Sequence, residues 1–229
     1  EEQVLMPFQD PVEMGMTLRE LEERVREAVY YGPLFERAFG DGAISSKRIS
    51  LALAQFVRSM VSSTSRYDQG RSQVQRRSDP FPNFSDQENL GKRIFVTPLG
   101  KGGLGCFTCH KGEGFVAALA TTNGLDKSWQ SDPGYGVVSK LPRDMGTFKV
   151  PSLRNVALQP PYMHDGRFAS LQEVMDHYSE GVKAHPNLGI PFEIQEGKVM
   201  QFEMTQRGKD ALIAFLKTLS DPTMLRDPK

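Results

Sequence analysis

The segment Cys106-Phe107-Thr108-Cys109-His110 carries two thiols three positions apart with a histidine directly after the second. Cys-x-x-Cys-His is the attachment pattern of a c-type haem: the thiols reach the two vinyl groups of one porphyrin, and the histidine becomes an axial ligand of the iron. The chain has 2 cysteines in 229 residues, so no disulfide partner or further thiol competes for this pair. A zinc half-site would need another pair of ligands, and a thioredoxin-like pair would need a βαβ pattern around it; neither is visible. The alternative is two buried thiols beside a surface histidine. For the other face of the iron, Met163 and Met175 are the thioether candidates, and a thioether raises the reduction potential.

These residues must be held by helices, because the chain shows almost no alternating strand pattern. Thr17-Leu18-Arg19-Glu20 is a capping box that opens a helix through about Tyr31, with Leu18, Leu21, Val25 and Val29 turned inward. A second helix starts near Ser46 and aligns Ile49, Leu53, Phe56, Val57 and Met60. The polar stretch from Ser62 to Pro82 reads as a linker, and Ser85-Asp86-Gln87-Glu88 caps the helix that leads into the thiol pair. Four glycines between Gly100 and Gly105 allow a tight turn before Cys106. Beyond about forty irregular residues, Pro151 to Asn155 reads as a short helix start. Ser170-Leu171-Gln172-Glu173 opens a helix whose Leu171, Val174, Met175 and Tyr178 share a face, and a last helix from about Thr205 presents Leu212, Phe215, Leu216 and Leu219. The expected fold is therefore all-α: a cytochrome c-like haem domain with long irregular loops over residues 84–229. Residues 1–83 read as a helical segment and linker that alone look like part of a core whose remainder is absent.

Composition bounds the partners. With 28 basic and 28 acidic side chains the formal charge is zero, which gives no global attraction to nucleic acid or an anionic membrane. No apolar run approaches the ~20 residues of a membrane span, and no signal peptide precedes Glu1. Covalent haem attachment in bacteria takes place outside the cytoplasm, so the expected location is the periplasm.

Several strings resemble the bacterial di-haem cytochrome c peroxidases, and within them the MauG-type enzymes. They are Asp10-Pro11-Val12-Glu13-Met14-Gly15-Met16, the helix ending near Arg58, Gly105-Cys106-Phe107-Thr108-Cys109-His110, and Phe148 to Asn155 followed by Pro161-Tyr162-Met163-His164-Asp165-Gly166. Family members carry two haem motifs and this chain has one, so the resemblance implies a C-terminal portion whose first haem belongs to an N-terminal piece, with residues 1–83 the linker and the C-terminal part of that second, N-terminal cytochrome c-like domain. Glu13 then matches a distal-pocket carboxylate of that first haem, with Gln3 and Pro7 as neighbouring pocket positions; a carboxylate there can move a proton between the peroxide oxygens. Without the resemblance, Glu13 reads as a solvated acid.

The haem on Cys106, Cys109 and His110 would be the second, six-coordinate one, and the resemblance places its sixth ligand fourteen residues after His164, at Tyr178. Peroxidases carry Met there and MauG-type proteins Tyr. A structural reading, a core tyrosine with a satisfied hydroxyl, stands beside it. The resemblance also implies that His164 lies near the haem, and that a calcium ion is held partly by the carbonyls of Gln159 and Pro161. Arg154 is a candidate partner of a haem propionate or a structural salt bridge. His177 and His185 read as surface histidines, His177 being the local rival to Tyr178, and Trp129 as a loop aromatic. The implied function is a periplasmic di-haem oxidoreductase that uses hydrogen peroxide to form a high-valent iron state. That state would oxidise a protein partner, possibly modifying a tryptophan, or draw electrons from a small redox protein. The alternative is a mono-haem electron-transfer cytochrome with a Met ligand.

Overall fold

The computed structural model describes residues 1–189, 192, 194–195 and 198–224. In chain order its helices are α1 (Met6–Gln9), α2 (Leu18–Glu27), α3 (Tyr31–Phe39), α4 (Ser46–Ser59), α5 (Arg66–Arg71), α6 (Asp86–Val96), α7 (Gly136–Ser139), α8 (Leu171–Asp176) and α9 (Gln206–Lys217). Strands β1 (Ala120–Thr121) and β2 (Phe148–Lys149) pair antiparallel, with Ala120 opposite Lys149, and β3 (Ile194–Gln195) pairs with β4 (Lys198–Val199). The protein is thus mostly helical with little sheet, and it divides into two units, Glu1–Val61 and Ser62–Lys229.

In the first unit Leu21, Phe35 and Ile49 form a small core. The Thr17/Glu20 capping box is made, but α2 stops at Glu27 and Val29 is 88% exposed, against the sequence expectation. The reason is Pro33: a helix continued through it would leave the Val29 carbonyl without a donor, so the chain breaks and restarts as α3. On α4, Ile49 and Ala54 are buried, whereas Phe56, Val57 and Met60 stand in solvent rather than in a core.

The second unit begins earlier than the expected boundary at residue 83/84, because residues 62–83 are not a linker. Ser65 and Asp68 form a capping box that starts α5, and Tyr67 and Phe81 are fully buried in the core of Ser62–Lys229. That core is aromatic: Tyr67, Phe95, Phe115 and Phe215 meet edge to face or tilted, with Leu212, Leu216 and Leu219 around them. The helices α6 and α9 form its principal packed pair. They can do so because position 91 has no side chain: a Cβ there would fall on the Ala211 carbonyl and 2.9 Å from the Phe215 Cβ. Pro151 to Asn155 is not a helix start. Asn155 takes a left-handed conformation (φ 62°) and caps a 3-10 turn over Val156–Leu158, while its side chain accepts from the Asp221 N–H at 2.7 Å.

Gly91→Ala should destabilise the Ser62–Lys229 unit by about 3 kcal/mol through overpacking at this crossing. Gly32→Ala, in the first turn of α3 where a Cβ meets open space, should be neutral or stabilising by up to about 1 kcal/mol. Denaturant midpoints of the two variants against wild type check the contrast.

Candidate functional site

The thiol segment is closed by its own backbone. Gly105 (φ 66°) turns the chain, Cys106–Thr108 form a 3-10 turn, and the N–H groups of Cys109 and His110 both donate to the Cys106 carbonyl, at 3.2 and 3.0 Å. His110 Nδ1 lies 3.1 Å from the Pro151 carbonyl and 3.3 Å from that of Phe115. Carbonyls only accept, so Nδ1 carries the proton and Nε2 keeps its lone pair for a metal. Burial lowers the His110 pKa against the pull of these two carbonyls, which favours the neutral ring a ligand needs. Burial likewise pushes the Cys106 thiol up to about 12, so without a bound group this cysteine is a neutral thiol.

Cys106, Cys109 and His110 line a cavity of about 420 Å³ whose walls are mainly apolar side chains from α6, α8 and α9, among them Phe95, Leu171, Val174 and Leu212. A volume of this order suits a large flat cofactor. The same cavity is lined by Tyr178 and Met163. Tyr178 sits where α8 loosens into a π-helical turn over His177–Gly181, a distortion frequent at functional sites. Its phenol oxygen accepts a hydrogen bond from Asn123 Nδ2 at 3.3 Å, and the Met163 sulfur lies 3.5 Å from the same amide nitrogen. Burial raises the Tyr178 pKa, while the Asn123 amide opposes it by donating to the oxygen. The residues present therefore fit a c-type haem: two thiols for the vinyl groups, a histidine whose Nε2 keeps its lone pair, an apolar slot, and three candidate sixth ligands lining it, Tyr178, Met163 and Met175.

His164 also lines the cavity, its ring stacked on Phe148 with centroids 3.6 Å apart and its Nε2 3.8 Å from Asp132. Arg154 does not line it. Its guanidinium forks onto both oxygens of Asp68 at 2.7 and 2.9 Å, and its Nε donates to the Glu113 carbonyl, so the propionate expectation gives way to the structural salt bridge. Among the described residues, Lys149 brings a cationic side chain to the wall. His177 and His185 are buried rather than at the surface: His177 bonds through Nε2 to the Asn123 carbonyl at 3.1 Å, and His185 Nδ1 accepts from the Asn187 N–H at 3.0 Å. Trp129 is a half-buried loop aromatic packed edge to face against His185. Met175 belongs to the buried core and also lines the cavity. In the first unit Gln3 and Glu13 are exposed, and the Met14 N–H donates to the Pro7 carbonyl at 3.3 Å, folding the Glu13 turn back onto α1. Gln159 and Pro161 lie in an exposed loop after the 3-10 turn.

Sequence reasoning missed Asn123, the donor shared by Tyr178 and Met163. It lies in the irregular stretch after the thiol motif, where no periodicity or motif marks it. Asp68 was missed because its partner is 86 residues away.

Comparison with known proteins places these features among relatives. Residues 1–75 match the family model described as di-haem cytochrome c peroxidase. The chain is 32% identical, over its whole length, to the methylamine utilization protein MauG of Methylorubrum extorquens, and 30% identical over 96% of its length to the cytochrome c551 peroxidase of Nitrosomonas europaea. It spans 60% and 58% of those two proteins. Among solved structures, a MauG-like protein associated with microbial copper homeostasis matches 99% of this chain and 70% of its own, with a TM-score of 0.76 at 31% identity. A diheme peroxidase of Burkholderia thailandensis shares the fold, with a TM-score of 0.60 at 20% identity.

The Asp68–Arg154 pair predicts a pH dependence. Burial raises the Asp68 carboxyl, but the Arg154 guanidinium and Ser65 outweigh it and hold its pKa below the ordinary value of 3.8. A carboxylate lowered in the folded state stabilises above its unfolded pKa and loses that contribution as pH falls through the folded value. Asp68→Asn, which leaves Arg154 half-paired, should cost about 3 kcal/mol at neutral pH. The difference from wild type should shrink as pH falls below about 4. Urea unfolding at a series of pH values measures it.

Proposed function

The chain belongs to the MauG and di-haem cytochrome c peroxidase family, and from that premise we propose that it is the portion of a periplasmic di-haem oxidoreductase that carries its second, relaying haem. The reaction is the reduction of hydrogen peroxide, and the electrons come from a protein partner. The observation that carries this reading is the grouping of His110, Cys106, Cys109 and Tyr178 on one cavity, with the Asn123 amide aimed at the phenol oxygen.

When bound, haem c supplies one-electron chemistry and a route for an oxidising equivalent between a peroxide-activating centre and a donor at the surface. The chain's own residues do the rest. Cys106 and Cys109 would hold the porphyrin, and His110, with Nδ1 tied to the Pro151 and Phe115 carbonyls, would present Nε2 to the iron. In this reading the phenol of Tyr178 would hold the iron from the other side of the cavity. The Asn123 N–H group stabilises negative charge on its oxygen, so a phenolate forms more readily than burial alone would permit. The apolar wall from α6, α8 and α9 excludes water, and the buried His177 braces Asn123 through its carbonyl.

Glu13, with Gln3 and Pro7, belongs in this reading to a peroxide pocket completed by a further haem-bearing portion, where Glu13 moves a proton between the peroxide oxygens. The di-haem description matched by residues 1–75 supports that assignment. Calcium held by the Gln159 and Pro161 carbonyls is proposed from the same resemblance, since a hard cation takes oxygen ligands. A MauG-like modification of a protein side chain is favoured over plain peroxide removal by Tyr178, because a phenolate favours ferric iron over easy reduction.

A second reading rests on Met163, whose sulfur shares the Asn123 amide: a mono-haem electron carrier with thioether ligation. Visible and near-infrared spectra of the ferric protein separate the two. We expect a phenolate-to-iron charge-transfer band in wild type, its loss in Tyr178→Phe, and a thioether-to-iron band gained in Tyr178→Met. A thioether band already present in wild type, abolished by Met163→Leu, favours the carrier.

A further inference from the structure

Outside the cavity the aromatic core holds one group placed for redox chemistry. Tyr67 is fully buried, and its hydroxyl donates to Glu113 Oε2 at 3.0 Å while accepting from Arg77 Nε at 3.1 Å. Among the described residues it is the tyrosine whose hydroxyl donates to a carboxylate. Glu113 is kept ionised. Burial pulls its carboxyl up, but hydrogen bonds from Arg77 (2.6 Å) and Tyr67, with the charges of Arg77 and Arg71, bring it below the ordinary range. Burial pushes the Tyr67 phenol itself up to about 12, so it is a neutral phenol beside a ready base.

A continuous ring path joins this pair to the haem ligand. Centroids are 4.8 Å apart from Tyr67 to Phe115, 5.9 Å from Phe115 to Phe95 and 6.4 Å from Phe95 to His110. Arg77 also stacks over Phe107, within the attachment segment, at 4.3 Å.

We propose that Tyr67 is an internal oxidation site, passing one electron toward the haem held by Cys106, Cys109 and His110 and its phenolic proton to Glu113. The Tyr67 O–H bond breaks, an O–H bond forms on Glu113, and the peroxide-oxidised haem gains one electron; a neutral phenoxyl radical and a neutral carboxyl remain. The radical is stabilised by the hydrogen bond from Arg77. The Glu113 side chain is 50% exposed, which lets the proton exchange with solvent, whereas the Tyr67 ring is sealed from any partner. The site therefore drains an oxidising equivalent when no external donor is engaged, rather than delivering it. This inference rests on the peroxide-dependent reading above.

The test is freeze-quench electron paramagnetic resonance of the full-length, haem-loaded enzyme after addition of hydrogen peroxide without donor. The expected result is a tyrosyl signal, narrowed by ring-deuterated tyrosine and lost in both Tyr67→Phe and Glu113→Gln, with slower decay of the oxidised haem spectrum in each variant. A radical that persists in Tyr67→Phe, or no radical although peroxide changes the haem spectrum, overturns the proposal. If peroxide leaves the haem spectrum unchanged, the functional reading fails by itself. The same samples treated with hexachloroiridate(IV), a one-electron oxidant, then decide the Tyr67 question: a tyrosyl signal lost in Tyr67→Phe upholds it, and a signal retained there or absent from wild type overturns it. Ring deuteration needs no substitution, and Glu113→Gln alters a side chain 50% exposed while keeping an acceptor oxygen for the Tyr67 hydroxyl, so a folding defect in Tyr67→Phe does not block the test.

Discussion

The hydrogen bond from His110 Nδ1 to the Pro151 carbonyl is the constraint on which the site depends. It ties the Cys106–His110 turn to a segment 41 residues further along the chain, and it settles which ring nitrogen faces the cavity. Without an acceptor, a buried Nδ1–H would cost about 1–3 kcal/mol, and the ring would be free to turn. Pro151 in turn is held by what surrounds it. Phe148 and Lys149 pair with Thr121 and Ala120, the Val150 N–H donates to the Leu119 carbonyl, and the Ser152 hydroxyl donates to the Gly114 carbonyl. The short sheet thus contributes little by area and much by position.

Around that anchor the unit separates structural polarity from chemical polarity. Arg154, Asp68 and Ser65 form a closed network away from the cavity, and Lys92 is buried against the carbonyls of Arg77 and Asp79 at 2.7 and 2.6 Å. These groups have their partners and hold loops to helices. Inside the cavity the polar atoms are sparse, and two candidate ligand atoms converge on the single amide of Asn123. Which of them binds iron decides the character of the centre, since a thioether favours the reduced metal and a phenolate the oxidised one.

Local chemistry was legible in the sequence where it repeats a short-range rule. The four capping boxes at Thr17, Ser65, Ser85 and Ser170 are all made, and the apolar face of α9 is buried as its spacing implies. Three of those boxes were read from the sequence; the one at Ser65 was hidden in a stretch whose polar composition suggested a linker. What composition concealed is that one tyrosine and one phenylalanine, Tyr67 and Phe81, suffice to draw residues 62–83 into the second core. The thiol motif and the Tyr178 spacing pointed to the cavity, yet Asn123 and the Asp68–Arg154 pair join residues tens of positions apart through irregular loops, and no periodicity records such contacts. The histidines failed for a related reason: His177 and His185 sit among polar neighbours in sequence, but loops close over both.

Iron K-edge X-ray absorption of the ferric, haem-loaded protein tests the central claim most directly, because it reads the atoms bound to iron without relying on a substitution. The account predicts a first shell of nitrogen and oxygen only, with the oxygen supplied by Tyr178. A sulfur in that shell would contradict it.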